Sequence, residues 1–363
     1  MTSTLSRPTA APRSYDRHAQ PFWRRALLTR EAAVILVLVV VFLWAQTSVP
    51  FFDGPLTLKY LMLDIAPILL IALPMTLIIA TGEIDLSVAS VVGLSSVLVG
   101  VLVQAGWSLP AAGLAALVVG LLAGAFNGFL VAYVGLPSLA VTIGTLALYR
   151  GVAVGLLGTE AVTDFPERWT DLANGTIGDS RVPLIMIPFV VLLVLFVWLL
   201  HFTPFGRGIF EIGLNDEAAR FTGVDVARTK LILFALAGLV SALAGIYYTL
   251  RFGSARGDNA TGLELQVIAA VLLGGVSIFG GRGALHGVVA GVVLIGVLSS
   301  ALRLQDVSSN VINIIIGLLL VMSVMSTSLL AGFSSWRTKR VNRGAPDPDP
   351  ELTPKAGVGD ESR

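Results

Sequence analysis

The sequence predicts an all-α, polytopic membrane protein with about ten transmembrane helices and both ends of the chain in the cytoplasm, and three observations lead there. Charged residues make up only 13% of the 363 residues and hydrophobic ones 55%, whereas a soluble domain carries about 25% charge. The mean hydropathy is +0.85. Apolar stretches follow one another from about Ala32 to Leu330, each with the roughly 20 residues needed to cross a bilayer core about 30 Å thick.

Taken in order, residues 1–31 are polar and carry Arg7, Arg13, Arg17, Arg24, Arg25 and Arg30. A secretory signal would place a short apolar region nearer the start, followed by a small-residue cleavage site, so this segment reads as a cytoplasmic N-terminal tail. The transmembrane domain follows over 32–332. Its ten apolar segments are 32–49, 60–80, 86–104, 110–134, 138–157, 183–202, 229–250, 264–279, 284–302 and 311–331. Residues 333–363, with Pro346-Asp347-Pro348-Asp349-Pro350, read as a disordered cytoplasmic C-terminal tail.

Ten is even, which puts both tails on one side, and the positive-inside rule tests the arrangement. Seventeen of the 24 basic residues fall on the inside set: both tails, Arg282, and Arg207, Arg220, Arg228 and Lys230 between the sixth and seventh segments. The outside set is Lys59, Arg150, Arg168, Arg181, Arg251, Arg256 and Arg303. The largest outside loop, Gly158 to Val182, has a net charge of −3, which suits a soluble partner or a solvated connector.

Glycine recurs every four residues at Gly120, Gly124 and Gly128 and again at Gly283, Gly287 and Gly291. Such stripes let helices approach closely, within one chain or between subunits. Leu73 to Leu102 resembles Leu273 to Leu302: each passes from an apolar segment through a Gly-rich break, Thr81-Gly82-Glu83-Ile84-Asp85 or Gly280-Gly281-Arg282-Gly283, into a small-residue helix. Interrupted spans in two halves point to a translocation site.

Several chemistries are excluded. A P-loop needs Gly-Lys followed by Ser or Thr, but the four lysines follow Leu58, Thr229, Thr338 and Pro354, so the chain does not bind ATP that way. Without Cys, and with His only at 18, 201 and 286, no thiolate nucleophile, catalytic constellation, metal-ligand set or cofactor site is expected; His286 reads as a polar packing residue. The net charge of +1 argues against a nucleic-acid surface.

Carboxylates at membrane depth are costly unless they line a water path or find partners. Asp64, Glu83, Asp85 and Glu264 qualify, and Asp85 also suits an N-cap for the third segment. Beside Glu264 lies the outer loop Arg251 to Gly262, where Arg251, Arg256, Asp258 and Asn259 suit a polar solute or a docking protein. The tentative translocation path is therefore Asp64, Glu83, Asp85, Asn259 and Glu264.

Between the sixth and seventh segments, the inside loop 203–228 contains Asn215-Asp216-Glu217-Ala218-Ala219-Arg220-Phe221-Thr222-Gly223. Asn215 suits an N-cap, Asp216 and Glu217 the first turn, Arg220 the last turn, and Gly223 the position just past a short helix over 216–221. A short capped helix standing in the cytoplasm suits docking.

This loop resembles the coupling segment of ABC importer permeases, in particular the branched-chain-type family that serves ribose, xylose, rhamnose and autoinducer-2 uptake. Glu217-Ala218-Ala219, three residues and Gly223 are similar to the EAA-x-x-x-G signature, although Leu233-Phe234-Ala235-Leu236 stands where the wider signature has Ile-x-Leu-Pro. Three further stretches resemble the family: Gly82 to Val88, Pro137 to Thr145 with Tyr149-Arg150-Gly151, and Ala269 to Gly283. The likeness covers roughly 55 to 330, so the transmembrane domain is read as a permease domain of the type II importer kind.

The resemblance implies a pathway of two permease subunits, identical or different, in the lipid of a prokaryotic cell membrane. A cytoplasmic ABC ATPase would grip Asn215, Asp216, Glu217, Ala218, Ala219, Arg220 and Gly223, and an external solute-binding protein would deliver a monosaccharide or related sugar, with rhamnose or autoinducer-2 wording favoured. ATP hydrolysis would belong to the separate ATPase. The competing expectation is a secondary transporter driven by an ion gradient, with Asp64 and Glu264 as coupling acids.

Overall fold

The computed structural model describes residues 29–54 and 56–342, with side chains as far as Met325. Among these residues, thirteen helices and a two-stranded sheet form. The first five helices are α1 (Arg30–Ser48), α2 (Thr57–Ala80), α3 (Val88–Gln104), α4 (Leu109–Ala132) and α5 (Ser138–Leu157). Strand β1 (Ala161–Val162) and the short α6 (Glu167–Asn174) interrupt the next loop, followed by α7 (Met186–Phe202), α8 (Pro204–Leu214) and α9 (Asp216–Phe221). The chain ends with α10 (Val226–Phe252), β2 (Ala255–Arg256), α11 (Leu263–Leu273), α12 (Leu285–Leu304) and α13 (Ser309–Asn342).

Every apolar segment expected from the sequence is helical. The eighth stops early, at Leu273 rather than 279: Gly274 caps α11, and Gly275 follows at φ +94°, a conformation that glycine adopts without the strain of a Cβ. The tenth continues to Asn342, past the expected tail boundary at 332; the N-terminal tail up to residue 28 and residues 343–363 lie outside the described residues. By length and composition, six helices suffice to cross a membrane: α1, α2, α4, α5, α10 and α12. The number rises to seven if α7 and α8, bent by 69° at the break between them, are counted as one span. The expected ten crossings are not reached on that measure, because α3, α11 and the described Ser309–Met325 part of α13 are shorter.

The core is centred on α2, with 18 of its 24 residues buried against α7, α10, α11 and α12. Lipid offers an apolar helix no less favourable surroundings than another helix does, so close fit and hydrogen bonding decide which face packs. Proline at position 67 removes an amide from α2 and would leave the carbonyl of Leu63 unpaired; the hydroxyl of Tyr247, from α10, donates to that oxygen at 3.0 Å.

Helices α4 and α10 meet along Gly120, Gly124 and Gly128. A Cβ on Gly124 would stand 3.0 Å from both Cα and N of Gly238, and one on Gly128 2.9 Å from Cα of Leu231. The second stripe is also consumed within the chain, with Gly287 and Gly291 against Gly274 and Ala270 and Gly283 against Val276. Both stripes are therefore packing devices of this one chain.

The ends of the bundle differ. The C-terminal end of α2 lies beside the start of α10, and the opposite ends of the same antiparallel pair meet at Asp64 and Arg251. Helices α8 and α9 and both Gly-rich breaks gather at the first end. At the other, β1 pairs antiparallel with β2 through Ala161↔Arg256 and Val162↔Ala255, binding the acidic loop 158–182 to the loop after α10.

Candidate functional site

Helix α9 is built as the sequence leads one to expect. The Asn215 side chain accepts the Ala218 amide at 2.9 Å, Asp216 and Glu217 occupy the first turn and Arg220 the last, and Gly223 follows at φ +91°. Such acid-first, base-last order favours a helix through its dipole. On its inner side Ala219 is buried with Ile212 and Val226. The outer side exposes Glu217, Ala218 and Arg220, and Phe221 is 93% exposed.

The preceding turn fixes where α9 stands. Thr203 accepts the Gly206 amide at 3.1 Å and Pro204 opens α8, a pairing suited to a helix start because proline has no amide to lose there. At its far end α8 presses Gly213 against the backbone of Ala80 and Gly281, and the Gly281 amide donates to the Ala80 oxygen at 2.9 Å. The end of α2, the second break and the α8–α9 corner therefore touch backbone to backbone.

One lysine ties this corner together. Lys230 Nζ, on the fifth residue of α10, lies 2.6 Å from Glu83 Oε1 and 2.7 Å from Asp216 Oδ2. Glu83 belongs to the first break and Asp216 to α9, so a residue expected on the translocation path and one expected in the docking helix share a cation. The lysine side chain is 10% exposed. Its pair with Glu83, 18% exposed, is weakly screened by salt and costly to break, whereas Asp216 is 40% exposed and its pair is screened more.

Asp85 is not the N-cap of α3. Ser87 holds that position and makes no side-chain cap bond; instead Asp85 Oδ1 accepts both the amide and the hydroxyl of Ser87, at 2.9 and 2.6 Å. Asn127 donates to Ser87 Oγ at 2.8 Å, and Tyr149 OH donates to the Ala123 oxygen at 2.9 Å while standing 3.3 Å from Asn127 Oδ1. With no cation in contact, burial pushes the Asp85 carboxyl up to about 6, against the lowering effect of the Ser87 hydrogen bonds. Ser138 accepts the Ile84 amide at 3.2 Å and Thr142 donates to the Ile84 oxygen at 3.3 Å. The first break is thus clamped by α4 and α5.

The remaining path candidates lie at the other end. Asp64 accepts from Arg251 at 3.3 Å and stands 3.6 Å from Arg303. Asn259 donates to Ser96 Oγ and to the Ser254 oxygen, each at 2.9 Å, while its own carbonyl receives Arg150 Nη1 at 2.7 Å. Glu264 is half-buried and forms no ion pair among the described residues. The structure does not bring these three together with Glu83 and Asp85; they occupy opposite ends of the same bundle.

Against known proteins, residues 57–324 match the family described as the permease component of branched-chain amino acid transport systems. The chain belongs to this permease family. It is 38% identical over 267 residues to the autoinducer 2 import system permease protein LsrD of Klebsiella pneumoniae subsp. pneumoniae, covering 72% of this chain and 80% of that protein. The protein of the same name from Yersinia enterocolitica is 38% identical over 266 residues, with the same two shares. That from Escherichia coli O157:H7 is 37% identical over 286 residues, covering 76% and 86%. No solved structure matches the chain.

As a permease, the chain is a transport subunit with several membrane-crossing helices. Two of its site residues escaped the sequence reading. Lys230 was legible only as one basic residue of an inside loop, yet it obeys the same rule that singled out the carboxylates: an ion at the edge of an apolar helix has a partner. Phe221 offered a weaker signal, an aromatic at the end of a polar six-residue helix.

Proposed function

We propose that this permease is the membrane-spanning subunit of an ATP-driven ABC importer that crosses the cell membrane of a prokaryote ten times, with both termini in the cytoplasm. The observation that carries this reading is the capped helix α9, anchored by Ala219 while Glu217, Ala218, Arg220 and Phe221 stand exposed. A cytoplasmic ATPase grips Asn215 to Gly223 of each of two permease subunits, and a solute-binding protein docks at the end that carries the acidic loop 158–182. Asp64, Asn259 and Glu264 border the entry of the path, and Glu83 and Asp85 its cytoplasmic exit.

The solute is a monosaccharide or related sugar, with autoinducer 2 favoured by the names of the relatives. Proteoliposomes holding the permease with its ATPase and binding protein test both claims. Uptake of autoinducer 2, ribose and rhamnose is compared with ATP inside the vesicles, and autoinducer 2 is expected to enter fastest. Uptake that follows a proton or sodium gradient with no ATPase present would overturn the reading in favour of a secondary transporter.

A further inference from the structure

We infer that Lys230 is the positioning residue that transmits movement of the docking helix to the first break in the membrane domain; the inference rests on the docking role proposed for α9. Three elements distant in sequence meet at its Nζ. Asp216 lies 14 residues away on α9, Glu83 lies 147 residues away in the break after α2, and the lysine itself is the fifth residue of α10. Each bond is at most 2.7 Å, at or just below the short end of the range for charge-assisted N–H···O pairs, about 2.7–2.9 Å.

The junction has no compliant alternative. With the lysine removed, two carboxylates that both reach one atom, Glu83 18% and Asp216 40% exposed, face each other and repel. Behind them, the Gly213 contact with the Ala80 and Gly281 backbones leaves no side chain to yield. A push on α9 therefore passes through Asp216 and Lys230 to Glu83 and into the Gly82–Ser87 segment. The buried Asp85–Ser87–Asn127 chain binds that segment in turn to α4. An ion bridge that only stabilised the fold would link any two surfaces; this one links the exposed, capped α9 to the break that follows α2.

Coupling of this kind requires an element that both sites bias, and the absence of cysteine from the chain makes its movement measurable. Nitroxide labels are placed at Phe279→Cys, beside Gly82 in the corner, and at Trp107→Cys, in the loop at the other end; both side chains are exposed. Their separation is measured by pulsed electron resonance in the permease purified with its ATPase, before and after addition of ATP and vanadate. The parent shifts by about 2 Å or more, the scale of helix displacements in switching proteins.

Lys230→Met loses the shift. If that variant fails to fold, the double variant Lys230→Met, Glu83→Gln, which leaves Asp216 as the one carboxylate of the junction and so lacks the repulsion, is used; it folds, retains the ATPase and still shows no shift. A parental shift in the double variant, or loss of the ATPase from it, would overturn the inference and leave Lys230 as a structural bridge. The docking reading fails separately, and the inference with it, if Glu217→Lys in the parent leaves ATPase co-purification undiminished.

Discussion

Gly124→Ala tests the α4–α10 contact most directly, because the added methyl meets backbone. Its Cβ would lie 3.0 Å from Cα and N of Gly238 and closer still to the Phe234 oxygen. Carbon atoms are at rest near 3.5–4.0 Å, so the two helices must part by about 0.5–1 Å, and a gap of that size forfeits about a quarter to a half of each opposing dispersion contact. Overpacking of this kind costs about 1–3 kcal/mol, and the better helix propensity of alanine returns up to about 1 kcal/mol. A net loss of about 1–2 kcal/mol is expected, and a larger one for Gly124→Leu. Gly144 on α5 has nothing within 4 Å of its Cβ position, so Gly144→Ala should be neutral or stabilising by up to about 1 kcal/mol. Unfolding midpoints of the detergent-solubilised permease in an SDS titration compare the two. Equal midpoints for Gly124→Ala and Gly144→Ala would refute the packing argument.

Glu217→Lys should lower co-purification of the ATPase about tenfold with unchanged permease yield, measured by affinity capture of a tagged permease. Asn215→Ala removes the cap of a six-residue helix, a loss of about 0.5–2 kcal/mol confined to α9; the Ala218 amide should then exchange with deuterium several-fold faster while the global midpoint stays put. Asp85 gives a pH signature: its carboxyl, raised to about 6 from about 3.9 in an unfolded chain, stays protonated in the folded state where the unfolded state has lost the proton. Its contribution therefore makes the fold more stable as pH falls from about 7 to about 4. In Asp85→Asn that increment should vanish from the SDS midpoints, and an unaltered pH profile would count against burial as the cause.

Much of the helical architecture was legible because its signals are local. Apolar runs of fixed length mark segments, and Asn215, the acids after it and Gly223 mark both ends of α9. What stayed hidden depends on distant partners. The strand at Ala161–Val162 exists only because Ala255–Arg256 lies opposite. The early end of α11 follows from Gly274 and Gly275, which in sequence are two small residues inside an apolar run. Asp85 looked like a cap because only spacing was visible, while its true partner, Ser87, is held by Asn127 on another helix. Lys230 was invisible for the same reason, since neither carboxylate neighbours it in sequence.

Helix α10 carries Lys230 near one end and Arg251 near the other, 21 residues apart within its 27, a span of roughly 32 Å at 1.5 Å per residue. Both cations are engaged, so the rod has a phase as well as a length. One inserted residue between them would turn one end by about 100° relative to the other and throw either the Glu83–Asp216 side or the Asp64 side out of register. Seven inserted residues would restore the phase to within about 20° but lengthen the rod by about 10 Å. Neither change leaves both ionic junctions closed. Insertions between these two positions are therefore not accommodated, and α10 acts as the ruler against which the two ends of the permease are set.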